Sequence, residues 1–399
     1  MTKIVVSAPG KVILHGEHAV VYGKKALAAS LNLRTNLTVS ERGDNLINLD
    51  LPDIEVKLSF PCGLLSSKND SEKGDVTSPM PATEETIETL KELSGLNEDA
   101  TRTQCSAVVT FLYLYTEISK ASKCPLPAID VSVHSKIPIG AGLGSSASYS
   151  VCLAAALLQL GNHINQSQSR SHTETDQSNQ SSWSHDDTEL INKWALISEK
   201  IMHGNPSGVD NSVTVYGGAI EFKKGNITKL SQMPETKILL VNTKVPRNTK
   251  TMVANVKTKF EKYEAIVGPV MDAIDTLTTR SIDTNSKLLD NGHLSSSLYK
   301  ELEDLIDMNQ NLLRTLGVSH PKLDRVCEIT AASGLHAKLT GAGGGGCAFC
   351  LIRPGTPQAV VREVMSQLKV EGFECWETNI CGQGVVRHWT NQYMWPGDS

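Results

Sequence analysis

Apolar residues open the chain in short runs, Ile4 to Val6 and Val12 to Leu14, with a Pro9-Gly10 break between them. The first sixty residues therefore read as strands and turns. After Thr83, the spacing of Ile87, Leu90 and Leu93 predicts a helix with Gly95 as its stop. Val108, Leu112 and Tyr115 predict a second over Ala107 to Ser119. Ile129, Val131 and Val133 alternate with Asp130, Ser132 and His134, the pattern of a half-buried strand. Residues 165–187 are rich in Ser, Gln, Asn and Thr, too polar to bury much surface, and read as an exposed, mobile insertion. Periodicity resumes at Leu190, Ile191 and Trp194. Past Pro234 a strand is predicted at Ile238 to Val241. Helices over Thr249 to Ile266, Ser297 to Leu316 and Pro321 to Ala332 alternate with strands after a glycine run and near Cys375. No internal repeat is visible. The pattern is mixed α and β in two domains, 1–233 and 234–399.

Composition narrows the class. The 399 residues are 40% hydrophobic and 20% charged, ordinary for a globular chain, and length alone allows roughly two to three domains. A net charge of -5 argues against a nucleic-acid or anionic-membrane partner. Nine cysteines, an odd count, and an N-terminus without a signal-peptide core point to reduced thiols and a cytoplasmic location. Cys347 and Cys350 form a C-x-x-C, but no second pair stands at zinc spacing, and their apolar neighbours fit a buried strand better. The longest near-apolar run, Val151 to Leu158, is far below the ~20 residues of a membrane span. The C-terminus carries neither a prenylation cysteine nor a Ser-Lys-Leu tripeptide, so peroxisomal import has no support in the sequence.

The strongest chemical signal is Gly140-Ala141-Gly142-Leu143-Gly144-Ser145-Ser146, between the alternating strand and an apolar helical stretch. Strand, glycine-rich loop and helix start make an anion site, because backbone N–H groups can approach phosphate oxygens at the positive end of a helix. The segment lacks the Lys-Ser/Thr close of the common P-loop and the acidic partner of a dinucleotide fingerprint. Taken alone, it is also compatible with a flexible Gly-Ser turn. Ser145 and Ser146 suit both magnesium ligation and helix N-capping, and local sequence does not separate the two.

Two companion segments change the reading. Ser7-Ala8-Pro9-Gly10-Lys11-Val12-Ile13-Leu14-His15-Gly16-Glu17-His18 opens the chain, and Lys338-Leu339-Thr340-Gly341-Ala342-Gly343-Gly344-Gly345-Gly346-Cys347 lies near its end. In this order and spacing, the three segments resemble the motifs of the GHMP kinase family, whose members phosphorylate galactose, homoserine, mevalonate or phosphomevalonate. The resemblance runs from Ser7 to about Thr378. It is most specific for the animal-type members acting on mevalonate, through His203-Gly204-Asn205-Pro206-Ser207-Gly208-Val209-Asp210-Asn211 and Asn242 to Thr249. Sugar kinases carry a carboxylate two residues after the Gly-Glu-His. Here that position is Val20, which suits a small branched acid.

The resemblance implies an α/β N-terminal domain like the second domain of ribosomal protein S5, a ferredoxin-like C-terminal domain, and a site between them. It implies phosphorylation of (R)-mevalonate by ATP with Mg2+ in isoprenoid and sterol synthesis, a homodimer, and feedback inhibition by prenyl diphosphates at the ATP site. Residue by residue, it implies that Asp210 takes the substrate hydroxyl proton. Lys11 would keep that carboxylate ionised and stabilise the transferred phosphoryl group. Ser146 and Glu199 would ligate magnesium. Gly140 to Ser146, with Lys11, Ser135 and Asp53, would hold ATP. Glu17, His18, Arg247 and Thr249 would bind the acid substrate. Ser148 departs mildly from the pattern, since Ala is more usual there. Three other readings stand beside this one. A sugar or phosphomevalonate kinase is opposed by Val20 and the Asp210 loop. A catalytically dead regulator would lack Lys11, Glu199 or Asp210, and all three are present. The related decarboxylase has different motif neighbourhoods.

Overall fold

The computed structural model describes residues 2–65, 74–164, 180–181, 183–204, 206–230, 233–290 and 295–388. The polar stretch at 165–187 lies largely outside them. The chain opens with β1 (Lys3–His15), β2 (Ala26–Glu41), β3 (Leu46–Leu51) and β4 (Val56–Pro61). A one-turn α1 (Cys62–Leu65), α2 (Glu84–Leu93) and α3 (Arg102–Ala121) lead to β5 (Ile129–Ser135) and α4 (Ser145–Leu160). Next come β6 (Gln180–Ser181), α5 (His185–His203), α6 (Val209–Tyr216), β7 (Ala219–Lys223) and β8 (Asn226–Leu230). The remainder runs β9 (Thr236–Asn242), α7 (Thr249–Lys262), α8 (Glu264–Asp290), α9 (Ser296–Leu316) and α10 (Pro321–Ala332). It closes with β10 (His336–Leu339), β11 (Cys347–Leu351), α11 (Gln358–Val370), β12 (Glu374–Ile380) and β13 (Val386–His388).

Local chemistry sets many of these bounds. The Thr83 and Thr101 side chains accept from the N–H groups of Thr86 and Gln104, capping α2 and α3. Pro321 starts α10, where its missing N–H is no loss. Two expectations change. The Pro9-Gly10 break does not end a strand: β1 runs through it, and the ladder to β2 shifts register there, from Pro9↔Arg34 to Gly10↔Leu31. Asn32 and Leu33 are thereby passed over, so a bulge absorbs the missing proline donor. The helix expected over Thr249 to Ile266 ends at Lys262. Tyr263 leaves helical geometry, and the 27-residue α8 follows.

Among the described residues, the strands join into one sheet with the order β10-β11-β9-β12-β2-β1-β13-β6, and β5, β3, β4, β7 and β8 branch from β2. Every described ladder is antiparallel except β3 with β5. The two halves of the chain join through β12 with β2 at Ile380↔Leu31, and through β13, which pairs with β1 from Val5↔His388 to Ser7↔Val386. Helix α4 is buried along its whole length from Ala147 to Leu160, which explains an apolar run without amphipathic period. Cys347 and Cys350 face opposite sides of β11, in separate hydrophobic clusters.

Candidate active site

Four helices begin at one cleft of about 580 Å³. Its lining includes Arg102 at the start of α3, Ser145 and Ser146 of α4, Asp210 of α6, and Thr249 and Lys250 of α7. Each helix start contributes partial positive charge, and those of α4 and α6, whose N-caps are glycines, have no side-chain cap, so the cleft suits an anion. Gly140 and Gly142 form the floor, and Asp53 and Ser135 form the far wall, where the Ser135 N–H donates to Asp53 Oδ2 at 2.6 Å.

The glycine loop is tied to the first motif, because the Lys11 N–H donates to the Leu143 carbonyl at 2.8 Å. Ser148, one turn into α4, donates to the Ala8 carbonyl at 2.7 Å. The departure from Ala thus adds a second tie between β1 and α4. Gly142 sits at φ +76°, and a Cβ built there would lie 1.3 Å from an Arg247 guanidinium nitrogen. A Cβ on Gly341 would meet the same guanidinium at 2.7 Å, so Arg247 lies between the two glycine loops. It is half-buried, faces the cleft, and no hydrogen-bond partner is found for it among the described residues.

Lys11 Nζ and Asp210 Oδ1 stand 3.1 Å apart, the lysine nearly buried and the carboxylate open to the cleft. Glu199 lies beneath, 3% exposed. Burial, and then the Asp210 charge, push its carboxyl up to about 8, although Ser146, Ser150 and Lys11 pull the other way. Ser150 Oγ is 3.5 Å from Glu199 Oε1. One turn further along α5, His203 places Nε2 3.0 Å from Ser146 Oγ. Burial lowers the His203 imidazole from its ordinary value, with Asp210 opposing and Arg102 assisting.

The structure does not bring every expected residue to the cleft. Glu17 is buried in an ion pair with Lys338, itself fully buried, and accepts from Asn309 at 3.2 Å. Burial raises the Glu17 carboxyl and lowers the Lys338 ammonium, and their pairing opposes both shifts. His18 sits at φ +60° in a tight turn closed by the Ala19 N–H on the Glu17 carbonyl at 2.7 Å. Its Nε2 is 2.8 Å from the Ala342 carbonyl. Thr340 Oγ1 bonds to Ile13 N and O at 3.0 and 2.9 Å. The first and third motifs are therefore bound to each other, and Glu17 and His18 support the site from behind. Sequence reading passed over Arg102, Lys250 and His203 as site residues. Of these, His203 had a signal, four residues after Glu199 on one helix face.

Comparison with known proteins agrees with this architecture. Residues 107–218 match the GHMP kinases N terminal domain, and 294–370 match the GHMP kinases C terminal family. The mevalonate kinase of Homo sapiens is 47% identical over 96% of this chain and 95% of its own length, and that of Mus musculus is 46% identical over the same shares. The crystal structure of the Methanococcus jannaschii mevalonate kinase superposes with a TM-score of 0.69 at 24% identity, covering 96% of this chain and 99% of that one. With identity this high across nearly the whole length, the chain belongs to the mevalonate kinase family of the GHMP kinases.

Proposed function

We infer that the chain transfers the terminal phosphoryl group of ATP to the 5-hydroxyl of (R)-mevalonate, giving 5-phosphomevalonate for isoprenoid and sterol synthesis. The observation that carries the reading is the Lys11–Asp210 pair at 3.1 Å, facing a glycine loop where four helices begin. Asp210 accepts the hydroxyl proton as the oxygen attacks. Lys11 orients that carboxylate and offers positive charge to the transferred group. The half-buried Arg247 guanidinium, without a hydrogen-bond partner among the described residues, suits the phosphate oxygens. Phosphoryl transfer needs little more, since positioning and charge neutralisation do most of the work.

Ser146 Oγ and the Glu199 carboxylate fit Mg2+, because both are hard oxygens and Glu199 is deeply buried with no lysine or arginine in ion-pair contact among the described residues. When bound there, Mg2+ neutralises charge on the phosphate oxygens. Asp53 and Ser135 belong to the nucleotide side. Thr249 serves the acceptor and Arg247 both the acceptor and the transferred phosphate, with Glu17 and His18 holding the wall behind. Prenyl diphosphates fit the same cleft, whose wall is apolar at Leu51, Ile54, Val133 and Ile139. The division at about residue 233, the homodimer and a cytoplasmic location complete the reading. No described helix is long and apolar enough to cross a membrane.

A coupled ADP-release assay with Mg-ATP, run on mevalonate, phosphomevalonate, galactose and homoserine, tests the substrate. Turnover is expected on mevalonate. Asp210→Asn is expected to lower kcat by roughly 10²–10⁴ with ATP binding retained. Preference for another acceptor overturns the substrate assignment, and an active Asp210→Asn overturns the base.

A further inference from the structure

A hydroxyl that ligates a cation through a lone pair must send its one proton to another acceptor. Two acceptors lie near Ser146, the Glu199 carboxylate and the His203 imidazole. A carboxylate engaged by the same cation turns its oxygens toward that cation, which leaves the imidazole. His203 Nε2 is 3.0 Å from Ser146 Oγ and 3.9 Å from Glu199 Oε2. His203 is the last residue of α5, one turn beyond Glu199, so one helix face carries both groups to the start of α4. Its side chain is 54% exposed and borders the cleft, so core packing does not account for it.

We propose that His203 is a positioning residue for the reaction: its Nε2 accepts the Ser146 proton and turns the Ser146 lone pairs toward the cation shared with Glu199. The imidazole proton then resides on Nδ1. Groups one step removed from a metal act in this way, fixing the orientation of the ligand itself. The proposal rests on the assignment of Ser146 and Glu199 to magnesium.

The test uses Mn2+ as the probe, with its binding to the full-length protein and a non-hydrolysable ATP analogue followed by electron paramagnetic resonance. Wild type, Ser146→Ala, His203→Ala, His203→Gln and the double variant Ser146→Ala/His203→Ala are compared, with thermal unfolding of each as a folding control. Ser146→Ala is expected to weaken Mn2+ binding. His203→Ala is expected to weaken it about tenfold, and His203→Gln, which keeps an acceptor at similar reach, to recover most of that loss. The double variant should be no weaker than Ser146→Ala, because His203 acts through that hydroxyl. In turnover, His203→Ala lowers kcat while the KM for mevalonate stays within about twofold. Unchanged Mn2+ affinity in His203→Ala, or additive losses in the double variant, overturns the positioning role and leaves the magnesium assignment in place. If Ser146→Ala binds Mn2+ as wild type does, both fall.

Discussion

A glutamate buried as deeply as Glu199, with the Asp210 charge beside it, holds its proton far above the range of a surface carboxylate, to about 8. Below the ordinary glutamate range, folded and unfolded chains both carry that proton; above about 8, neither does. Between these limits the native state binds it more tightly, so the site's contribution to stability is lost as pH rises through the window. Glu199→Gln is neutral throughout. Its melting temperature relative to wild type should therefore rise by a few degrees between about pH 5 and about pH 9. A difference that does not change with pH sinks the burial account. Residues inside motifs that carry the family resemblance were readable in advance: Lys11, Asp210, Gly140, Gly142 and Gly144 all line the cleft. Glu17 was not readable, because a buried ion pair and a ligand-facing carboxylate look alike in sequence.

At the scale of elements, the two glycine loops are spacers for a side chain on a third loop. Gly142 and Gly140 both have positive φ, +76° and +74°, so Ala at either place incurs similar backbone strain. A Cβ on Gly140 meets nothing within 4 Å, whereas one on Gly142 collides with Arg247. Gly142→Ala is therefore expected to lose roughly tenfold or more in kcat/KM for ATP beyond the loss in Gly140→Ala, with similar melting temperatures. Equal losses in the two variants would show that Arg247 has no part in binding. Periodicity located α2, α9 and α10 well, since each has one wet face, but it set the start of α3 five residues late, at Ala107 rather than Arg102, because Ala107 to Tyr115 are buried on every side. It misjudged α7 and α8, because apolar spacing continues across Tyr263 and only backbone geometry reveals the break.

Over the whole molecule, the Glu17–Lys338 pair joins segments 321 residues apart. Lys338→Met leaves the Glu17 carboxylate buried and unpaired, which should destabilise the fold by about 3–5 kcal/mol in urea unfolding. Adding Glu17→Gln should recover most of that loss, and a double variant no better than the single one would assign the cost to packing instead. The chain's return is held in a similar way. Arg34 donates to the carbonyls of Ser7 and Gly384 at 2.9 and 2.6 Å, fastening the approach to β13 against β1.

By itself, the sequence determined the family, the glycine loops, the order of most elements and the meeting of Lys11 with Asp210. Those features are written in local residue types and spacing, which short-range sterics and hydrogen bonding translate directly into structure. The tertiary fold decided the rest: the Arg247 slot, the His203–Ser146 contact and the burial of Glu17 against Lys338. These depend on groups that meet only when distant segments pack, and no spacing along the chain records which polar side chains that packing closes off from water.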